Sequence, residues 1–189
     1  LNVKDLINIG LFTAVYTVCF FAVGMTGYIP IMMLFLPFMI GIVGGIPIML
    51  LVTKVSKFGV FTITGTLVSL FMFFTGHPWP ILAIGIPFVV LADLVAAAGS
   101  YKKWPLVLAG YTFFSLWSMG AMYPLFFMRD SYFSMMEKGY GEAYANEIAN
   151  LFSDNMLPIM IVTAIAGAII GAYLGRSVLK KHFKRAGVA

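Results

Sequence analysis

Trp79–Lys103 reads WPILAIGIPFVVLADLVAAAGSYKK: an apolar run carrying a single acid, Asp93, closed by a small-residue turn and two lysines. A helix needs roughly 20 apolar residues to cross a bilayer core of about 30 Å, and 79–98 supplies that length. Period-two alternation is absent, so a transmembrane β-strand is a poor fit. Working outward, the same pattern recurs at 5–25, 30–53, 58–76, 104–128 and 155–176. The expected fold is an all-α membrane protein, a compact bundle of six transmembrane helices forming a single domain over 1–189.

The connecting segments divide by charge. When they alternate between two sides, one side collects Lys4, Lys54, Lys57, Lys102, Lys103, Arg176, Lys180, Lys181, Lys184 and Arg185. The other collects Arg129 and Lys138 with Asp130, Glu137, Glu142, Glu147 and Asp154. Basic residues in short loops stay in the cytoplasm, which predicts cytoplasmic termini in a multi-pass protein of the cell membrane. The net charge of +5 then reflects these flanks and their attraction to anionic headgroups, with no nucleic-acid partner implied.

At 61% hydrophobic and 10% charged, with mean hydropathy +0.99, the 189 residues are nearly consumed by spans and short loops. That leaves no room for a soluble catalytic domain or nucleotide-binding fold. His77 and His182 fall on opposite sides, and no phosphate-cradling glycine loop, paired glutamates or serine–histidine set can be built at one depth. The chain is therefore read as no enzyme, holding no metal and no cofactor of its own. Cys19, inside the first span, reads as a small apolar packing residue. The chain starts at Leu1, so further residues are expected ahead of it.

Two connections opposite the basic loops are tight, Gly24–Pro30 and Thr75–Pro80, with Gly and Pro permitting sharp reversals. The third, 129–154, is long and tyrosine-rich. From Gly141, Tyr144, Ile148, Leu151 and Phe152 fall at helical spacing, opposite Glu142, Asn146, Glu147 and Asn150. A lid over an outward-facing pocket and a helix resting at the membrane interface both fit this pattern. Prolines 37, 47, 87, 105 and 124 punctuate spans two, four and five; kinks around a cavity and ordinary helix packing both account for them.

Polar and aromatic residues gather at the same end: Tyr28, His77, Trp79, Trp117, Tyr123, Arg129, Asp130, Tyr132 and Asn155. Small-molecule pockets combine aromatic walls with a few orienting polar groups, which makes this set the candidate substrate site. Tryptophan and tyrosine also anchor helices at interfaces, and Arg129 and Asp130 also fit as solvated flank charges. Asp93, an acid inside an apolar run, is expected near the basic end as an ion pair with Lys102 or Lys103 or as a helix cap, with a proton relay as the competing role. Gly167, Gly171 and Gly175 form a small-residue stripe on the last span, and Gly10 and Ala14 form another on the first.

Gly44-Gly45-Ile46-Pro47, Gly76-His77-Pro78-Trp79-Pro80, Leu91-Ala92-Asp93-Leu94, Met128-Arg129-Asp130 and Leu179-Lys180-Lys181-His182-Phe183 carry a likeness over essentially the whole chain. The sequence resembles the Trep_Strep family and, more broadly, the substrate-binding S components of energy-coupling factor (ECF) transporters. The resemblance implies capture of a vitamin or precursor from outside, a transmembrane coupling subunit and two cytoplasmic ATPase subunits, with ATP and Mg held by those partners. It implies docking through an Ala-xxx-Ala pattern on the first span, where Gly10 and Ala14 stand here. Hydroxymethylpyrimidine is the implied substrate, with pyridoxine a close second. A stand-alone proton-coupled transporter using Asp93 and a non-transporting membrane scaffold are the competing functions.

Overall fold

The computed structural model describes residues 1–153 and 155–185, with side chains placed up to Lys180. Asp154 of the expected topology, and the side chains of Lys181, His182, Lys184 and Arg185, lie outside the described residues. The described chain is helical throughout, without strands. It runs α1 (Val3–Gly24), a 3-10 turn (Met25–Tyr28), α2 (Pro30–Met33), α3 (Leu36–Lys54), α4 (Val60–Phe74) and α5 (Pro80–Ala97). Then come α6 (Trp104–Ser115), a second 3-10 turn, α7 (Met119–Met122), α8 (Pro124–Phe127), α9 (Arg129–Tyr140), α10 (Glu142–Leu151) and α11 (Met156–Arg185).

Local chemistry sets these limits. Asn2 and Asp5 form a reciprocal capping box at the start of α1. Pro30, Pro37, Pro80, Pro105 and Pro124 sit in first turns, where a missing N–H costs nothing. Pro47 and Pro87 lie inside α3 and α5. Five segments are long and apolar enough to cross a membrane: 3–28, 36–54, 80–97, 104–127 and 156–180. The sixth expected span is α4, an apolar helix of 15 residues. At 1.5 Å per residue it is about 22 Å long, short of the bilayer core.

The tightest pairing is α3 against α11. A Cβ on Gly41 would meet the backbone of Gly167 and Ala168, and one on Gly171 would meet the backbone of Gly41 and Ile42. The glycine stripe of the last span is thus spent on internal packing. Between the helices lies a core of large rings. The Trp117 indole donates to the Tyr16 hydroxyl at 2.8 Å, and the Tyr111 hydroxyl donates to the Gly41 carbonyl at 2.6 Å. All three side chains are buried. Outward, α1 exposes Val3, Ile7, Leu11 and Val18, apolar side chains suited to lipid.

Asp93 decides the architecture of the basic end. It is fully buried, and its carboxylate accepts the backbone N–H groups of Gly59 (3.0 Å), Phe61 (3.3 Å) and Thr62 (2.7 Å). Three donors at the start of α4, left without partners by the helix itself, are satisfied by one side chain on α5. The Tyr101 hydroxyl adds a fourth bond at 2.8 Å, delivered by a turn in which Ser100 and Tyr101 take φ of 52° and 57°. Asp93 is a cap, bonded to backbone and tyrosine where Lys102 or Lys103 was the expected ion-pair partner. Lys57 reaches Asp5 at 2.7 Å, tying the α3–α4 loop to α1.

Candidate functional site

A cavity of about 260 Å³ opens at the end opposite the basic loops. One wall comes from α1 and its 3-10 turn, with Phe20, Phe21, Met25 and Tyr28. Met33, Leu36 and Ile40 line another side, and Met72 and His77 come from the end of α4 and the loop after it. Ser118, Ala121 and Met122 form the side where the fifth apolar stretch breaks into short turns. Tyr132, Met136, Tyr140 and Tyr144 close the top from α9 and α10. That volume is near the low end of ligand pockets, about 300–1,000 Å³, and suits a single ring.

The roof is a helical hairpin. Gly141, at φ 91°, turns the chain between α9 and α10, a backbone conformation that glycine takes without penalty. The face of α10 that reads as apolar is the inward one: Ala145, Ile148 and Phe152 are buried, while Glu142, Asn146, Glu147 and Asn150 are exposed. Tyr144 donates to the Gly27 carbonyl at 2.6 Å, latching α10 to the turn after α1. Its ring lies 5.3 Å from that of Tyr140, which meets Tyr28 edge-on at 5.8 Å. The expected lid position is therefore occupied by two helices, α9 and α10, where the sequence pattern predicted one.

Of the predicted site residues, the structure brings His77, Tyr132 and Tyr28 to the cavity. His77 Nδ1 lies 3.2 Å from the Met72 carbonyl; a carbonyl only accepts, so Nδ1 carries the hydrogen. Burial holds the imidazole below its ordinary pKa, so the ring is neutral at pH 7 and Nε2 remains an acceptor. Burial likewise pushes the Tyr132 hydroxyl up to about 12 and raises that of Tyr144, keeping both protonated. No charged side chain lines the cavity among the described residues.

The other predicted residues lie elsewhere. Trp117 is buried behind the wall, its indole committed to Tyr16 and its ring 5.3 Å from Phe20, which does line the cavity. Tyr123 stacks on Phe127 at 4.5 Å. Trp79, Asp130 and Asn155 are exposed outside the cavity. Arg129 holds the roof in place: its guanidinium donates to the carbonyls of Phe152 (2.6 Å), Ala149 (3.2 Å) and Leu125 (3.1 Å). The bonds to Phe152 and Ala149 satisfy orphan carbonyls at the C-terminal end of α10 with a cation, the sign that end of a helix favours, and the bond to Leu125 ties the guanidinium back to α8. Five lining methionines, Met25, Met33, Met72, Met122 and Met136, went unforeseen. Methionine in an apolar span reads the same whether it faces lipid, core or ligand, although its flexible thioether adapts well to aromatic ligands.

Gly10 and Ala14 are exposed on α1, and a Cβ added at Gly10 would meet nothing within 4 Å. Residues 3–185 match the model of a family described as a hypothetical bacterial integral membrane protein, Trep_Strep. No curated protein and no solved structure matches the chain. The chain belongs to the Trep_Strep family and is a multi-pass bacterial integral membrane protein.

Proposed function

With that family membership as the premise, we propose that the protein is the substrate-binding S component of an ATP-driven ECF vitamin transporter. Its ligand is a small neutral heteroaromatic vitamin or precursor, hydroxymethylpyrimidine first and pyridoxine second. The observation that carries this reading is the uncharged, tyrosine-roofed cavity at the end away from the basic loops. A charged ligand would be desolvated there without a counter-ion, at a cost of several kcal/mol, roughly, per ion. A flat ring stacks on tyrosines and contacts methionine sulfur at no such cost.

The polar complement fits the same ligand class. The hydroxyls of Tyr28, Tyr132 and Tyr140 make no hydrogen bond within the described chain, so they can donate to ring nitrogens. His77 Nε2 can accept from an exocyclic N–H or O–H. In this reading all six apolar segments cross the membrane, α4 with help from its flanking residues, and both termini are cytoplasmic. The cavity then faces outward, and α9 and α10 form its lid. In this reading ligand release inward is driven by the coupling subunit and its two ATPases. The exposed Gly10–Ala14 face is the docking surface for that coupling subunit. Asp93, engaged by four donors, has no free valence for proton relay, which favours the ATP-driven reading over a proton-coupled one.

The test is a panel of radiolabelled vitamins offered to the purified protein. Saturable binding of hydroxymethylpyrimidine or pyridoxine, one per chain, is expected. Binding confined to charged vitamins, or no binding at all, contradicts the proposal. Docking is tested separately by Gly10→Leu with Ala14→Leu, which should abolish co-purification of the coupling subunit and leave ligand binding intact.

A further inference from the structure

A second cavity, of about 420 Å³, lies at the basic end between α3, the turn before α6, and α11. Its walls include Thr53, Ser56, Lys102, Trp104, Arg176 and Lys180. Three cations converge here, and among the described residues none of the three makes an ion pair with a carboxylate. Asp93, which bonds Tyr101 of this wall, is itself consumed as the α4 cap. Arg176 lies over the Trp104 ring at 4.3 Å, which fixes the guanidinium plane at the wall while leaving its N–H edge available. The Trp104 indole N–H is shielded from solvent and has no acceptor among the described residues.

We propose that this cavity binds a phosphate oxyanion, with the headgroup of an anionic phospholipid as its source. Arg176 supplies the forked donor, and Lys102 and Lys180 supply point charges. The surroundings favour a lipid over free phosphate. Tyr173 packs edge-on against Trp104 at 5.4 Å, and Tyr173 and Leu174 are exposed, so an apolar track for acyl chains adjoins the charged pocket. Basic pockets between helices at the basic face of a membrane protein are where such headgroups settle. A lipid bound here would brace α11 against α3 and the α5–α6 turn.

The full chain, delipidated in neutral detergent, is titrated with dioctanoyl phosphatidylglycerol, dioctanoyl phosphatidylcholine or inorganic phosphate. Bound lipid is counted by native mass spectrometry, and the melting temperature is followed in parallel. Phosphatidylglycerol should bind at one per chain and raise the melting temperature, while phosphatidylcholine does neither. Lys102→Gln with Lys180→Gln should weaken that binding at least tenfold. Both lysines are exposed, so the fold survives their loss. Lys4→Gln with Lys103→Gln removes the same charge from the same end outside the cavity and should change little. Inorganic phosphate that stabilises the protein and displaces the lipid would assign the site to free phosphate, with the same residues holding it. Equal loss in the two double variants, or equal binding of the two lipids, would overturn the proposal.

Discussion

At the basic end, one buried carboxylate gathers three backbone N–H groups and a tyrosine hydroxyl, and an ion pair fastens the neighbouring loop to α1. At the cavity end, the roof of α9 and α10 is held by one tyrosine hydroxyl on Gly27 and by the Arg129 guanidinium on the last turn of α10. The first arrangement is buried and shared among four partners, so no single opening motion releases it. The second is half-buried, and each bond can break alone. Segments with few buried polar ties are those that open at low free energy, and binding lids are drawn from them. The molecule thus joins a stitched end to a more loosely tied one.

The largest expected effect comes from unpicking the stitched end. Asp93→Ala leaves four donors unmet at about 1–3 kcal/mol each, partly relieved by water; a loss of about 3–5 kcal/mol should appear in detergent melting. Asp93→Asn keeps an acceptor and should cost less, with ligand affinity unchanged. Abolished binding or uptake with an intact fold would make Asp93 functional and dissolve the contrast.

At the cavity end, Arg129→Gln should cost about 1–3 kcal/mol, since three carbonyls lose a charged donor. The damage should stay local: hydrogen exchange should rise in 142–153 and remain unchanged around Gly59–Thr62. Smaller still, Tyr144→Phe removes one hydroxyl bond worth about 0.5–1.5 kcal/mol and should speed ligand release up to about tenfold. A global loss of stability from either substitution would mean that the roof is part of the core.

The smallest effect is on pH. His77 is held below its ordinary value, about 6.5, so it stays neutral in the folded protein until the pH falls further. Folded and unfolded states therefore bind equal protons at this site above that value, and stability is flat there. Below it the unfolded chain takes up the proton first, so stability and affinity both decline as the pH falls through the depressed folded value. Affinity that rises on acidification would show that the imidazolium binds the ligand.

How much of this was legible depended on whether the deciding contact was local. The five long spans, the tight turns and the inward face of α10 follow from runs and spacings within a few residues of one another. The glycine stripe of α11 likewise announced close packing, although its partner on α3 could not be named from spacing. α9 is not legible as a separate helix because its composition is polar, and it meets the cavity through three residues, Tyr132, Met136 and Tyr140. Arg129 looked like a solvated flank or a ligand contact because its acceptors, Ala149 and Phe152, lie on another helix. Trp117 reads as a wall of the pocket but belongs to the core, because Tyr16, 101 residues earlier, claims its N–H. Sequence position puts Asp93 at the basic end with a cap among its expected roles, but three of its donors, Gly59, Phe61 and Thr62, belong to the start of another helix.

Ala121, a buried small residue in the wall, offers the cleanest way to ask whether ligand occupies the tyrosine-roofed cavity. The measurement is saturation binding of radiolabelled hydroxymethylpyrimidine to the purified protein and to Ala121→Phe, with the melting profile of each recorded alongside. Saturable binding by the unaltered chain is expected, with a loss of at least about tenfold, or 1.4 kcal/mol, in the filled variant at an unchanged fold. Equal binding by both proteins would place the ligand elsewhere and show that the tyrosine-roofed cavity is not the substrate site.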